Sequence, residues 1–340
     1  MQDLFPTLLA NAGIKATLAR EIADGAFPHA YIIEGPYGTG KRTVATLAAA
    51  SIFCHRRGEE GVPLPCGQCE SCRKVLRGMS VDVLYVESTA SVDEIRALKQ
   101  GMYEAPNEND YKIYVLQDTQ NMSVNAQNSL LKSLEEPPSH VLFFLLCDDA
   151  EVLLETIRSR APILRTDALP DELLRRELLR RAPQAGDLVR RDPGRLEEIV
   201  LFANGSLGLA LDGVDPKKSE RIAKLRAEAT DTARALLRGD VPAYELAAKL
   251  TGYTRDALKE LLPLVQSALR DAVAIKRDPE VRLRFFAQRE AASEVSGTAD
   301  LNHVMTACDA VTTAISDCKR NAAVPSLVLN MFLTAQNKRK

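Results

Sequence analysis

The sequence predicts an α/β domain of the phosphate-loop kind with a parallel sheet and an inserted metal module, followed by two helical regions. Three observations predict it. Four apolar runs of strand length alternate with amphipathic stretches, a Gly-x-x-x-x-Gly-Lys segment joins the first run to a helix, and strand signals stop after about residue 165.

The strand-like runs are Ala30–Glu34, Asp82–Glu87, Lys112–Gln117 and Val141–Cys147, continuous enough in apolar residues to suit a sheet buried on both faces. Helix starts lie between them. Ser91 with Glu94 forms a capping-box pattern, and Ser123 precedes the periodic Ala126, Leu130, Leu131 and Leu134. Strand alternating with helix implies a parallel sheet.

Beyond residue 165, Glu172–Arg181, Arg195–Phe202 and Arg221–Leu237 read as helices broken by Pro, Gly and Asp, and Val241–Gln336 is again helical. The expected division is an α/β domain over 1–165 with an insertion at about 54–72, a small helical domain over 166–212, and a helical domain over 213–340. Residues 337–340, Asn-Lys-Arg-Lys, read as a solvated tail.

At 340 residues the chain is long enough for two or three cores. A formal charge of −2 gives no field that would hold a polyanion unaided. No run of eighteen apolar residues occurs and no signal-peptide layout opens the chain, so a soluble, cytoplasmic protein with no membrane contact is expected.

The phosphate-loop candidate is Gly35-Pro-Tyr-Gly-Thr-Gly-Lys41. Gly35, Gly38, Thr39 and Gly40 would turn backbone N–H groups toward phosphates, and Lys41 would reach the terminal ones. ATP or ADP is the expected ligand. The next residue is Arg42, where a Ser or Thr hydroxyl would ligate magnesium; Thr43 comes one residue late, about 100° around the helix.

Seven cysteines are present. Cys66, Cys69 and Cys72 fall at two-residue intervals, and Cys54 lies upstream with His55 beside it. Four such ligands suit a closed tetrahedral zinc site that folds the insertion, with Cys54 or His55 as the fourth. Cys147, Cys308 and Cys318 sit in apolar stretches and read as small core residues.

Asn128-Ser-Leu-Leu-Lys-Ser-Leu-Glu-Glu-Pro-Pro138, followed by Thr156-Ile-Arg-Ser-Arg160, strongly resembles the clamp-loader ATPase-like subunits of bacterial DNA polymerase III. The resemblance covers essentially the whole α/β domain. It implies an AAA+ module, a helical lid and a helical collar through which five subunits assemble. It also implies a four-cysteine zinc module with Cys54 as the fourth ligand, here with a lengthened first interval.

Two branches of the family differ in chemistry: the gamma/tau motor hydrolyses ATP, and delta-prime in many bacteria does not. Aligned on that pattern, the motor's paired acids fall on Gln117 and Asp118, and Gly208 stands where a lid arginine senses the γ-phosphate. With Arg42, that makes three altered positions, which resembles the delta-prime branch. Asp118 also reads simply as a strand cap.

Ser159-Arg160 is the feature retained. In the family this arginine enters the ATP site of the neighbouring subunit, where a fixed fork of positive charge stabilises the transferred phosphate. Ala161 replaces the usual cysteine. Arg160 also has a plain reading as an ion-paired surface residue.

The expected function is therefore a delta-prime subunit. It joins gamma/tau and delta in a heteropentamer that loads a sliding clamp onto primed DNA, lending Arg160 in trans and hydrolysing no ATP itself. The alternatives are an ATP-hydrolysing gamma/tau-type motor, opposed by Arg42, Gln117 and Gly208, and a zinc-bearing nucleic-acid module, opposed by the near-neutral charge.

Overall fold

The computed structural model describes residues 5–87, 98–238, 240–320 and 322–337. The expected capping box at Ser91 and Glu94 lies outside the described residues, as do residues 338–340 of the expected tail.

The chain divides into two compact units, one of residues 1–169 with 206–208, the other of 170–205 with 209–340. The first unit holds a five-stranded sheet of β1 (Ala30–Glu34), β2 (Val83–Val86), β3 (Lys112–Leu116), β4 (Val141–Cys147) and β5 (Ile163–Arg165) in the order β2-β3-β4-β1-β5. Every pairing is parallel, with Glu34 opposite Cys147 and Leu116 opposite Leu145. This is a parallel-sheet α/β fold with the Gly35–Lys41 segment joining its first strand to a helix. The short β5 gave no sequence signal, because its three residues have no alternation to read.

The sheet's two faces feed separate cores, as the period-two geometry of a strand requires. Tyr31, Ile33, Ile113, Val115, Leu142, Phe144 and Leu146 pack with α1 (Ala12–Asp24), α2 (Lys41–Ile52) and α3 (Glu70–Leu76). Ala30, Ile32, Tyr114, Leu116, Phe143 and Leu145 pack with α4 (Val124–Glu135) and α5 (Glu155–Arg158). All seven residues of β4 are buried, so this strand is apolar throughout instead of alternating.

Ser123 begins α4, accepting the Ala126 N–H at 3.1 Å, and Ala126, Leu130 and Leu134 face the core. At the amino ends of the strands, fully buried Asp82 accepts the N–H groups of Asn107, Glu108 and Asn109 at 2.7, 2.8 and 2.9 Å. Burial disfavours its charge, but these donors outweigh burial and hold its pKa below the ordinary value.

The second unit is helical among its described residues: α6 (Asp171–Arg181), α7 (Pro183–Arg191), α8 (Pro193–Ala203), α9 (Leu207–Val214, its first residues grouped with the first unit), α10 (Pro216–Leu236), α11 (Ala243–Thr251), α12 (Arg255–Arg277), α13 (Arg289–Ser296), α14 (Leu301–Lys319) and α15 (Val324–Gln336). Helices α10 to α15 share one apolar core. Buried Asp271 on α12 gathers the N–H groups of Arg284, Phe285 and Phe286, fastening the loop before α13. No helix is long and apolar enough to cross a membrane among the described residues.

Candidate functional site

The phosphate-loop candidate, Gly35–Lys41, joins β1 to α2. Gly38 and Gly40 adopt φ of 75° and 96°, the left-handed region where a side chain is strained, so glycine at these positions is what lets the loop turn. The Lys41 ammonium donates to the carbonyls of Gly35 at 2.7 Å and Pro36 at 3.2 Å, and to Asp148 Oδ1 at 2.6 Å. Thr39 Oγ1 donates to the Pro36 carbonyl at 2.8 Å and meets Thr166 Oγ1 at 2.7 Å.

Two further contacts come from distant sequence. Ser206 Oγ donates to the Tyr37 carbonyl at 2.8 Å, and the Gly208 N–H donates to the Gly38 carbonyl at 3.0 Å. A Cβ on Gly208 would lie 2.5 Å from the Gly38 Cα. Position 208 thus presents bare backbone to the loop.

Arg42 turns outward and stacks over the Tyr85 ring at 4.5 Å, while Tyr85 O–H and Thr46 Oγ1 are 2.8 Å apart. Thr43 is exposed one position on. At the end of β3, Gln117 Nε2 donates to Glu87 Oε1 at 2.7 Å. Asp118 is exposed, has a left-handed φ of 45°, and makes no side-chain capping bond to the short turn it precedes.

Arg160 lies just past α5, near the end of α4. One amino group donates to the Thr156 carbonyl at 2.8 Å and the other pairs with Glu135 Oε1 at 2.7 Å. Ser159 Oγ donates to the Thr156 carbonyl at 3.2 Å and stands 3.3 Å from the same guanidinium. The side chain is one-third exposed (35%), while Ala161 beneath it is buried in the core with Ile157. A small apolar residue at 161 therefore fits the packing, and the guanidinium stays at the surface.

Cys54, Cys66, Cys69 and Cys72 converge, their sulfur atoms all within 4.8 Å of one another. Cys54 follows α2, Cys69 caps α3 and Cys72 lies in its first turn. The Cys69 N–H points at Cys66 Sγ at 3.4 Å, and Cys72 Sγ lies 3.3 Å from the Ala50 carbonyl. Zinc–sulfur bonds of about 2.3 Å would set tetrahedral sulfurs about 3.8 Å apart, so the four donors fit a metal ion of that kind. His55 points elsewhere, its Nε2 3.0 Å from Ser71 Oγ.

As thiols these groups differ. Burial pushes Cys54 and Cys72 up, whereas at Cys66 the N–H groups of Cys69 and Gln68, with the neighbouring thiols, outweigh burial and bring the pKa down to about 7. Metal binding takes up the thiolate form, so such a cluster gains from an ion what burial withholds. Cys147 is raised by burial to about 12 and Cys308 to about 11; Cys147 is buried in a core beside the sheet, and Cys308 is partly buried against the core of the helical unit.

Sequence reasoning missed Asp148, Thr166 and Ser206 at the loop, and Glu135 as the partner of Arg160. Asp148 carried a usable signal, since it directly follows a strand beside the phosphate-loop strand, at the end of the sheet where open α/β folds bind ligands.

The family described as "DNA polymerase III, delta subunit" matches residues 10–170. Among curated proteins, the chain is 31% identical over 211 residues to the DNA polymerase III subunit gamma of Buchnera aphidicola subsp. Schizaphis graminum, covering 61% of this chain and 56% of that protein. It is 32% identical over 214 residues to the subunit tau of Escherichia coli K12, covering 62% of this chain and 32% of that protein. The chain thus matches from about a third to a little over half of the length of these two relatives. A crystal structure of a DNA polymerase III gamma subunit-related protein from Thermotoga maritima aligns over 96% of this chain and 99% of that one, at 17% identity and a TM-score of 0.44.

Proposed function

We propose that this chain is a delta-prime-type subunit of the clamp loader, a reading supported by the match of residues 10–170 to the family described as "DNA polymerase III, delta subunit". It assembles through its C-terminal helices with gamma/tau and delta subunits in the cytoplasm, in a complex that places a sliding clamp on primed DNA. This reading takes 1–165 as a P-loop domain, 166–212 as a lid and 213–340 as a collar.

The observation that carries the reading is the contrast within one domain between an intact, surface-held Arg160 and a phosphate loop altered at Arg42, with Gln117 and Gly208 at the other two motor positions. Arg160 extends into the ATP site of a neighbour, where its fork meets charge developing on the transferred phosphate. The chain hydrolyses no ATP itself: Arg42 supplies no hydroxyl for magnesium, and Gln117 supplies no carboxylate. Cys54, Cys66, Cys69 and Cys72 would hold a zinc ion that fastens the insertion, with four protein ligands leaving no open position.

The names of the curated relatives, gamma and tau, favour a second reading, an ATP-hydrolysing motor subunit. Both readings meet in one experiment: ATP turnover by purified motor subunits with delta, clamp and primed DNA, to which this chain or its Arg160→Ala variant is added. The delta-prime reading expects wild type to raise turnover and the variant, assembling normally, to lose about 10³-fold of the stimulated rate. Equal stimulation by both would make Arg160 structural, and turnover by this chain alone would favour the motor.

A further inference from the structure

Asp148 stands one residue past Cys147, whose strand position is paired with Glu34 at the end of β1. Its carboxylate is 2.6 Å from Lys41 Nζ. The same ammonium donates to the carbonyls of Gly35 and Pro36, so its three N–H groups are all engaged by the chain. The Asp148 N–H donates in turn to Gln120 Oε1 at 3.3 Å, which ties its backbone to the turn after β3.

A phosphate-loop lysine faces the β- and γ-phosphates of a bound nucleotide. Here a carboxylate already neutralises it, so a γ-phosphate arriving at Lys41 either displaces Asp148 or sits against its negative charge. Magnesium would ordinarily offset that charge by bridging the two phosphates through the hydroxyl after the lysine. That position is Arg42, whose guanidinium is drawn off onto the Tyr85 ring. Both features act against the third phosphate and bear less on a nucleotide that ends at the second.

Resting on the reading of residues 35–41 as a phosphate loop, we propose that Asp148 is a specificity-determining residue that makes this loop take a nucleoside diphosphate in preference to the triphosphate. The preference is electrostatic and local. It concerns the chain's own loop and is separate from the action of Arg160 on a neighbour.

The test is a titration of the full chain with fluorescent mant-ADP and mant-ATP in the presence of magnesium, using wild type, Asp148→Asn and Lys41→Ala. Wild type is expected to bind the diphosphate about tenfold or more tightly, and Asp148→Asn to tighten the triphosphate by about tenfold while changing the diphosphate by less than about threefold. Lys41→Ala should weaken both. Equal affinities in wild type, or an unchanged ratio in Asp148→Asn, would overturn the proposal. So would binding of neither nucleotide to wild type, a result that leaves the Arg160 reading standing because that is measured on another subunit's turnover. A second variant, Asp148→Ser, separates a charge effect from a folding defect of the first, and the wild-type ratio requires no variant at all.

Discussion

The cysteine cluster and the phosphate loop lie at opposite ends of α2, and they are finished in opposite ways. The cluster turns four sulfurs toward one another, all within 4.8 Å, a set of like donors that only a shared ion would use together. In the phosphate loop the chain meets its own demands: Lys41 is taken up by two carbonyls and Asp148, Thr39 by Pro36 and Thr166, and the Gly38 carbonyl by Gly208. A Gly-x-x-x-x-Gly-Lys segment can therefore be present in the sequence and have its lysine committed in the structure. The spacing of candidate ligands says little until the partners of each donor are known.

The comparison breaks most readily at the cluster. Under the proposed zinc reading, Cys72→Ser abolishes stoichiometric zinc, read by metal analysis of the purified chain, and destabilises the first unit by roughly 3 to 5 kcal/mol, because a buried ligand is lost together with the ion's contribution to folding. If the variant melts with wild type, the insertion folds without metal and the contrast between the two sites disappears.

A control of intermediate size lies away from both sites. Asp82→Asn turns amide hydrogens toward the N–H groups that the carboxylate accepts, and should cost about 3 kcal/mol near neutral pH. Folding lowers the Asp82 pKa from its ordinary 3.8, so the ionised group's contribution is present in full above that value and is lost as pH falls through the lower folded value. Denaturant melts of both proteins from pH 7 down to pH 2.5 should show the gap narrowing only at the acid end; a gap that widens in acid would reject this account.

The smallest effect sharpens the phosphate-loop side. Gly208→Ala places a methyl group against Gly38, forcing the two backbones apart at a cost of roughly 1 to 2 kcal/mol. A thermal melt that matches wild type would mean the contact between Gly208 and the loop is loose.

Much of this was legible beforehand where the signal is local. Ala30–Glu34 and Val141–Cys147 are strands over the residues expected, Ser123 caps α4, and the closely spaced Cys66, Cys69 and Cys72 meet Cys54. What escaped notice is assembled across the chain. The pairing of Lys41 with Asp148 spans 107 residues, and that of Thr39 with Thr166 spans 127. β5 is three residues long, too short for a periodic pattern, and α7 opens on Pro183, holds Gly186, and buries only Ala185. Nothing in the sequence places Glu135 opposite Arg160, with which it pairs.

The two cores divided by the sheet have a consequence for how such a chain can change over time. Helix α2, which carries Lys41, is anchored on one face, and Ile157 and Ala161, which seat Arg160, on the other. Substitutions that erode the phosphate loop are absorbed by one set of neighbours, while the surface arginine rests on a different set across a wall of buried strands. Under the proposed function, a subunit built this way can retire its own engine and go on serving the one beside it, because decay on one face is not inherited by the other.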